Sequence, residues 1–227
     1  MREQILNIIN KQPQKVSGTI TGQPSKKRTF IGKQYKKAMT RIGLLSDTHG
    51  FLDPRVVEQF ADVDELWHAG DIGSVGVLCS LRSLKPLKAV YGNADGFDVR
   101  RELNPSPKVI YSEDSTAEGA GAAEETPEGM LFFKTEGVKV LMTHIGGHPG
   151  RYTKNAAAAI KRLRPDIFVA GHSHILRVIY DKAANCLYLN PGACGHYGIH
   201  TKRTVLKFVI DGNDIKDMEI VELNPEK

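Results

Sequence analysis

Cysteine is scarce in this chain of 227 residues, and the three present, Cys79, Cys186 and Cys194, stand far apart without a CxxC pair. That pattern excludes a disulfide framework and a thiolate zinc knuckle, and it fits a reducing compartment. Long apolar runs are missing as well. No window approaches the roughly 18 to 20 apolar residues that cross a bilayer, and no apolar core followed by small residues opens the chain. The expected compartment is the cytoplasm, with no membrane partner. Acidic residues are nearly absent from positions 1 to 40, which hold nine of the 31 Lys and Arg but one of the 26 Asp and Glu. The net charge of +5 therefore belongs to that stretch, and the remaining 22 basic and 25 acidic residues leave the rest slightly acidic. Such a balance lacks the basic surface that a nucleic-acid partner demands, beyond contacts the stretch makes by itself.

Residues 1 to 40, with "KQPQKVSGTITGQPSKKRTFIGKQYKK", also lack sustained helix or strand periodicity and read as a basic, disordered extension. Met39, directly before "TRIGLLSDTHG", offers an alternative start of translation. What is present begins at Arg41, where a single domain, 41 to 227, takes over with 41% hydrophobic content across the whole chain, enough for one substantial core. "RIGLLS", "ELWHAG" and "LKAVYG" read as buried strands, separated by the helices "PRVVEQF" and "SVGVLCSLRSL". This βαβαβ order predicts a parallel sheet. Residues 111 to 129 interrupt it with six acids and no base, the composition of a flexible surface insert. "MLFFKT" and "VKVLMTH" then read as a hairpin about Glu136-Gly137, followed by the helix "NAAAAIKRL" and the strand "DIFVAG". "LRVIYD", "CLYLN", "TVLKFVI" and "DIKDMEIVEL" read as β, which predicts a second sheet.

Five strand ends carry donor side chains: Asp47 and His49 in "SDTHG", Asp71 in "HAGDIG", Asn93 in "YGNAD", His144 in "LMTHIGG", and His172 with His174 in "AGHSH". Each has an ordinary account, as a helix cap, a turn residue beside glycine or a hydrogen-bonded histidine. Seven oxygen or nitrogen donors at converging strand ends are better explained by metal. They are too many for one four-coordinate ion and suffice for two ions that share a carboxylate. Two ions about 3.5–4 Å apart can hold a bridging hydroxide as nucleophile and neutralise a phosphate, which is phosphoester hydrolysis.

Asp-x-His, Gly-Asp, Gly-Asn, a strand-end His and Gly-His-x-His, in this order, resemble the calcineurin-like metallophosphoesterases. The short spacing and the "NPGA" turn at Asn190 to Ala193 resemble in particular the small bacterial and archaeal phosphodiesterases of the YfcE type. The resemblance implies an α/β fold, a four-layer α-β-β-α sandwich of two stacked mixed sheets. It implies that Asp47, His49 and His174 hold one ion and Asn93, His144 and His172 the other, with Asp71 bridging. Asp71, Asn93 and His144 are the residues it makes catalytic. It implies two divalent ions, manganese first, with iron, zinc, nickel or cobalt as alternatives, and a small phosphoester such as a nucleotide as substrate. A homo-oligomer is compatible with it. Gly70, Gly92 and Gly171, beside the ligands, are expected to let the backbone turn sharply.

One position departs from the family. Many members carry a histidine after Gly-Asn that assists the leaving group, where this chain has Ala94. The expected activity is therefore hydrolysis of activated phosphodiesters, with alkyl monoesters weaker. His148 is a loop residue that can substitute from another direction, and Arg151 and Tyr152 are candidate substrate contacts. His68 is expected as a packed or supporting residue, His196 and His200 at the surface, and Cys194 in packing. Two other functions compete: a non-catalytic protein-binding scaffold resembling the retromer subunit Vps29, and a nuclease recruited by the Lys-rich extension.

Overall fold

The protein is described by a computed structural model over residues 39–103 and 127–223. The extension up to residue 38, and the acidic insert as far as residue 126, lie outside the described residues.

Two five-stranded mixed sheets stack face to face. The first has the order β12-β11-β1-β2-β3, built from β1 (Met39–Leu45), β2 (Glu65–His68), β3 (Leu87–Ala89), β11 (Thr204–Asp211) and β12 (Asp214–Glu222). The second has the order β4-β5-β8-β10-β9, from β4 (Met130–Thr135), β5 (Val138–Thr143), β8 (Ile167–Val169), β9 (Arg177–Asp181) and β10 (Cys186–Asn190). β1, β2 and β3 run parallel, as do β5, β8 and β10, while antiparallel strands flank them in each sheet. β1 begins at Met39 because residues 39 to 41 pair with Asp211 to Val209 of β11.

Side-chain alternation divides the core into layers. Leu44, Trp67, Val140, Met142, Val169 and Phe208 point between the sheets. Leu45 and Leu66 point outward, under α1 (Pro54–Gln59), α2 (Val75–Leu84) and α3 (Phe97–Leu103). Leu141 and Phe168 pack on the far side against Ala156, Ile160 and Leu163 of α4 (Lys154–Leu163). The order is therefore α-β-β-α, as the resemblance implies. Gly43 has a local role: a Cβ there would come within 2.9 Å of the Phe60 ring, so its absence lets α1 close on the sheet.

The helices start where side chains supply caps: Asp53 accepts from the Arg55 N–H, Ser74 from Val77 and Thr153 from Ala156. Two elements are absent from the sequence reading. α3 buries only Val99 and Leu103, a single i, i+4 pair too short for periodicity to reveal. A two-stranded hairpin, β6 (Gly147–His148) with β7 (Arg151–Tyr152), lies within the glycine-rich stretch read as a loop.

Candidate metal centre

Every proposed ligand follows the C-terminal end of a parallel strand: Asp47 and His49 after β1, Asp71 after β2, Asn93 after β3, His144 after β5, His172 and His174 after β8. Five of them sit in the left-handed region, with φ of 57° at Asp47, 47° at His49, 54° at Asp71, 64° at His172 and 55° at His174. This conformation costs a non-glycine residue about 1 kcal/mol or more, so surrounding structure must impose it. Backbone bonds between neighbouring loops do so: Asp47 N–H to Gly70 O (3.0 Å), His49 N–H to Asp71 O (2.9 Å) and Gly195 N–H to Asp47 O (3.1 Å).

The donor atoms form two groups, Asp47, His49 and His174 in one and Asp71, His144 and His172 in the other, with all atoms of a group within 4.8 Å. The groups touch. Asp71 Oδ2 lies 3.2 Å from His144 Nε2 and 3.8 Å from His49 Nε2. Asp47 Oδ1 lies 3.1 Å from His174 Nε2 and 4.0 Å from His144 Nε2. The other carboxylate oxygens are fixed by backbone donors, Asp71 Oδ1 by Ala94 N–H at 2.8 Å and Asp47 Oδ2 by His172 N–H at 3.2 Å.

Hydrogen bonds behind the rings set their tautomers. His144 donates from Nδ1 to Ala69 O at 2.8 Å, which in the neutral ring leaves Nε2 with a lone pair. His174 Nδ1 faces His200 Nδ1 at 3.2 Å, and His200 Nε2 lies 3.1 Å from Gly195 O. The carbonyl can only accept, so His200 donates from Nε2, His174 donates from Nδ1, and His174 Nε2 is left as a lone pair beside Asp47 Oδ1. Asp47 Oδ1 and His144 Nε2 are buried with no hydrogen-bond partner among the described residues. Lone pairs on nitrogen and carboxylate oxygen facing each other repel unless a proton or a cation lies between them. Hard oxygen and imidazole donors, two orphaned buried atoms and fixed tautomers fit divalent ions.

The charges agree with this. Burial works against ionised Asp71, but the neighbouring His144 ring and the Ala94 N–H hold its pKa below the usual carboxylate value. Burial lowers His49, with Asp71 and Asp47 pulling the other way. At His144 burial is outweighed by the neighbouring carboxylates of Asp71 and Asp47, so its pKa is raised and a proton at Nε2 is favoured where no cation takes its place.

Asn93 is exposed, in the turn between Gly92 and Ala94 that holds Asp71, and its carbonyl lies 3.5 Å from Arg100 Nη2. Asp95, unremarked in the sequence reading, accepts three backbone N–H groups: Gly92 (2.8 Å) and Ile72 (3.2 Å) on Oδ2, and Gly73 (2.6 Å) on Oδ1. It locks the loops after β2 and β3 together, and its place three residues beyond Gly92 was the available signal. His200, expected at the surface, is instead half-buried against His174, with ring centroids 5.0 Å apart. His68 is a supporting residue as expected: it accepts from Gly70 N–H at 3.2 Å and meets Thr48 Oγ1 at 3.0 Å, and burial pushes its pKa down to about 4, keeping it neutral.

Two of the three glycines act differently from expectation. Gly70 has φ of 95° and does make a turn. Gly92 and Gly171 matter for their missing side chains: a Cβ at Gly92 would sit 2.0 Å from Asp71 Oδ1, and one at Gly171 2.2 Å from Ser46 Oγ. His196 is exposed and packs on Phe51, with ring centroids 4.4 Å apart. Tyr152 donates to Asp181 at 2.7 Å on the α4 side, away from the ligands. Arg151 is exposed on the hairpin, and Cys194 is buried with its Sγ 3.2 Å from Ser46 O.

Comparison with known proteins places this arrangement. The chain is 28% identical over 187 residues to a probable metallophosphoesterase of Methanothermobacter thermautotrophicus, covering 79% of this chain and 91% of that protein. Its fold is similar to that of an archaeal phosphodiesterase, with TM-score 0.54 and 24% identity over 81% of this chain and 99% of the other. It is also similar to that of Vacuolar Protein Sorting 29 from Cryptosporidium parvum, with TM-score 0.57 and 17% identity over 82% and 99%. The model of the calcineurin-like phosphoesterase superfamily domain matches residues 40–213, so it is to this superfamily that the chain belongs.

Proposed function

We propose that the protein hydrolyses phosphodiesters with two divalent metal ions, manganese foremost. The observation that carries this reading is the pair of buried, unpartnered atoms, Asp47 Oδ1 and His144 Nε2, where two donor groups meet. Asp47, His49 and His174 would hold one ion, and Asp71, His144 and His172 the other, with Asn93 completing the second set. Asp71 Oδ2 approaches a histidine of each group and is placed to be shared. Bound ions supply a water of lowered pKa and offset the charge of the phosphoryl oxygens.

The chain's own contribution is orientation. Ala69 and His200 keep the Nε2 lone pairs of His144 and His174 turned inward, and Ala94 N–H keeps Asp71 Oδ1 occupied so that Oδ2 faces the centre. Ala94 has no side chain to protonate a leaving group, so substrates whose leaving group departs unaided are favoured. The substrate would be a small phosphoester, a nucleotide derivative among them.

A substrate panel run with a series of metals tests this. Aryl phosphodiesters should be cleaved faster than alkyl monoesters, and Asp71→Asn and His144→Ala should each lower turnover by about 100-fold or more. Unchanged activity in both variants would remove these residues from the centre, and a high monoester to diester ratio would sink the phosphodiesterase reading. Ion binding without turnover on any phosphoester would favour a scaffold. Salt-sensitive binding of nucleic acid that disappears on removal of residues 1 to 38 would favour the nuclease.

A further inference from the structure

Beside His172 the surface opens into a small cavity of about 150 Å³. Its walls include Ile145, Ile175 and Tyr188, and its polar edge is Arg177 and His148 with the hydroxyls of Thr153 and Ser173. No carboxylate is among the residues that line it. Tyr188 is buried and anchored by donating to Gly147 O at 2.9 Å, so one wall is rigid. Ile145 and Ile175, by contrast, are 45% and 57% exposed, so both present apolar surface at the mouth of the cavity.

Arg177 is half-buried on β9 and makes no hydrogen bond or ion pair through its side chain with any described residue. Other arginines near the centre are engaged: Arg100 binds the carbonyls of Asp95 and Gly92, and Arg203 binds Asp53. A guanidinium held at the edge of an apolar cavity, with its donors uncommitted, is suited to a planar acceptor that enters from outside. An apolar cavity of about 150 Å³ takes one benzene-sized ring.

We propose that this cavity is the subsite for one ester substituent of the substrate, a single pyrimidine or substituted aryl ring that turns an anionic or carbonyl acceptor to Arg177 and that carries no positive charge. The inference rests on the phosphoesterase reading, because His172 joins the cavity to the donor groups. The ring would lie between Ile145 and Ile175, against Tyr188, with its acceptor at the guanidinium. A cationic substituent would meet Arg177, with no carboxylate in the lining to receive it.

The test uses calorimetric binding to the manganese-loaded protein of three phosphonates: phenyl, 4-carboxyphenyl and 4-(trimethylammonio)phenyl. In the wild-type protein the carboxyphenyl compound should bind about tenfold tighter than phenyl, the scale of one charge-assisted contact, and the trimethylammonio compound more weakly than phenyl. Arg177→Gln should bring the first ratio close to one, and Arg177→Glu should reverse the order of the two charged compounds. The same order should appear in kcat/KM for p-nitrophenyl diesters bearing these rings. Equal binding of all three by the wild-type protein, or an order that survives Arg177→Glu, would overturn the subsite. Diester hydrolysis without discrimination would leave the activity standing and remove the subsite, whereas ordered phosphonate binding without hydrolysis of any diester would keep the subsite and remove the activity.

Discussion

Gly92 has the clearest single-atom consequence in the molecule. A methyl group there would overlap Asp71 Oδ1, the oxygen that Ala94 N–H holds, and neither the carboxylate nor the turn has room to yield while Asp95 clamps both loops. Gly92→Ala should therefore weaken manganese binding by more than about tenfold, measured by metal titration. Retained affinity would mean that Asp71 is not a ligand. His200 makes a different kind of prediction, since among the proposed donors its side chain meets only His174. His200→Ala frees that ring to rotate and to exchange tautomers, and should cost about 10–100-fold in affinity for one of two ions, leaving the other unchanged. Two equally weakened ions would count against the pairing of His200 with His174. The proposed donors are legible in the sequence because each is a chemically marked residue after an apolar strand. Asp95 and His200 are not, because their importance lies in which neighbour they meet, and that neighbour comes from another loop.

At the scale of elements, α1 is tied to the far end of the chain through one carboxylate. Asp53 caps the helix, binds Arg55 at 2.7 Å and meets the buried Arg203 guanidinium at 2.6 Å, while Arg203 also donates to Leu223 O at 2.9 Å. The Arg55 hydrogen bond leads in holding the Asp53 carboxyl well below the usual carboxylate range, against burial, with Arg203 adding to it. A depressed pKa means that the unfolded chain takes up the proton first. The stabilisation is complete above the unfolded value near 4 and is lost as pH falls from there toward the folded one. Asp53→Asn should lower stability at pH 7 by about 3 kcal/mol in urea unfolding, and the variant should lose less than the wild-type protein between pH 4 and pH 2. Parallel losses in that range would assign the acid sensitivity elsewhere. The strands and longer helices are legible because their alternation or periodicity is sustained. α3 and the β6-β7 hairpin are not, since one holds a single apolar pair and the other only two residues per strand.

The described residues are organised so that the C-terminal ends of the parallel strands carry the proposed donors and the outer sheet faces carry the helices. The resemblance anticipates that layering, and the alternation of Leu44 with Leu45 and of Val140 with Leu141 explains it physically. His68 sits at the junction, fully buried beneath the loops of β1 and β2. Burial pushes its pKa to about 4 in the folded protein, against about 6.5 unfolded, so its protonation favours the unfolded chain. The associated stability is complete above pH 6.5 and declines as pH falls toward 4. Chemical unfolding in the presence of a chelator should show this slope in the wild-type protein and a shallower one in His68→Gln. An identical slope in both would show that the ring is not held neutral.

The left-handed ligands carry a consequence for how such a chain drifts under mutation. His49, His172 and His174 carry a backbone penalty that glycine would escape in the folded state, so replacing one relaxes the metal-free fold while removing a proposed ligand. His172→Gly should raise the unfolding temperature of the metal-free protein by a few degrees, read by calorimetry, as it removes ion binding. A lower temperature would mean that the ring's packing outweighs its strain. If the gain holds at several positions, selection for the proposed metal site is what keeps these residues in place. A descendant released from that selection would slide toward a more stable protein that has kept its shape and lost its chemistry.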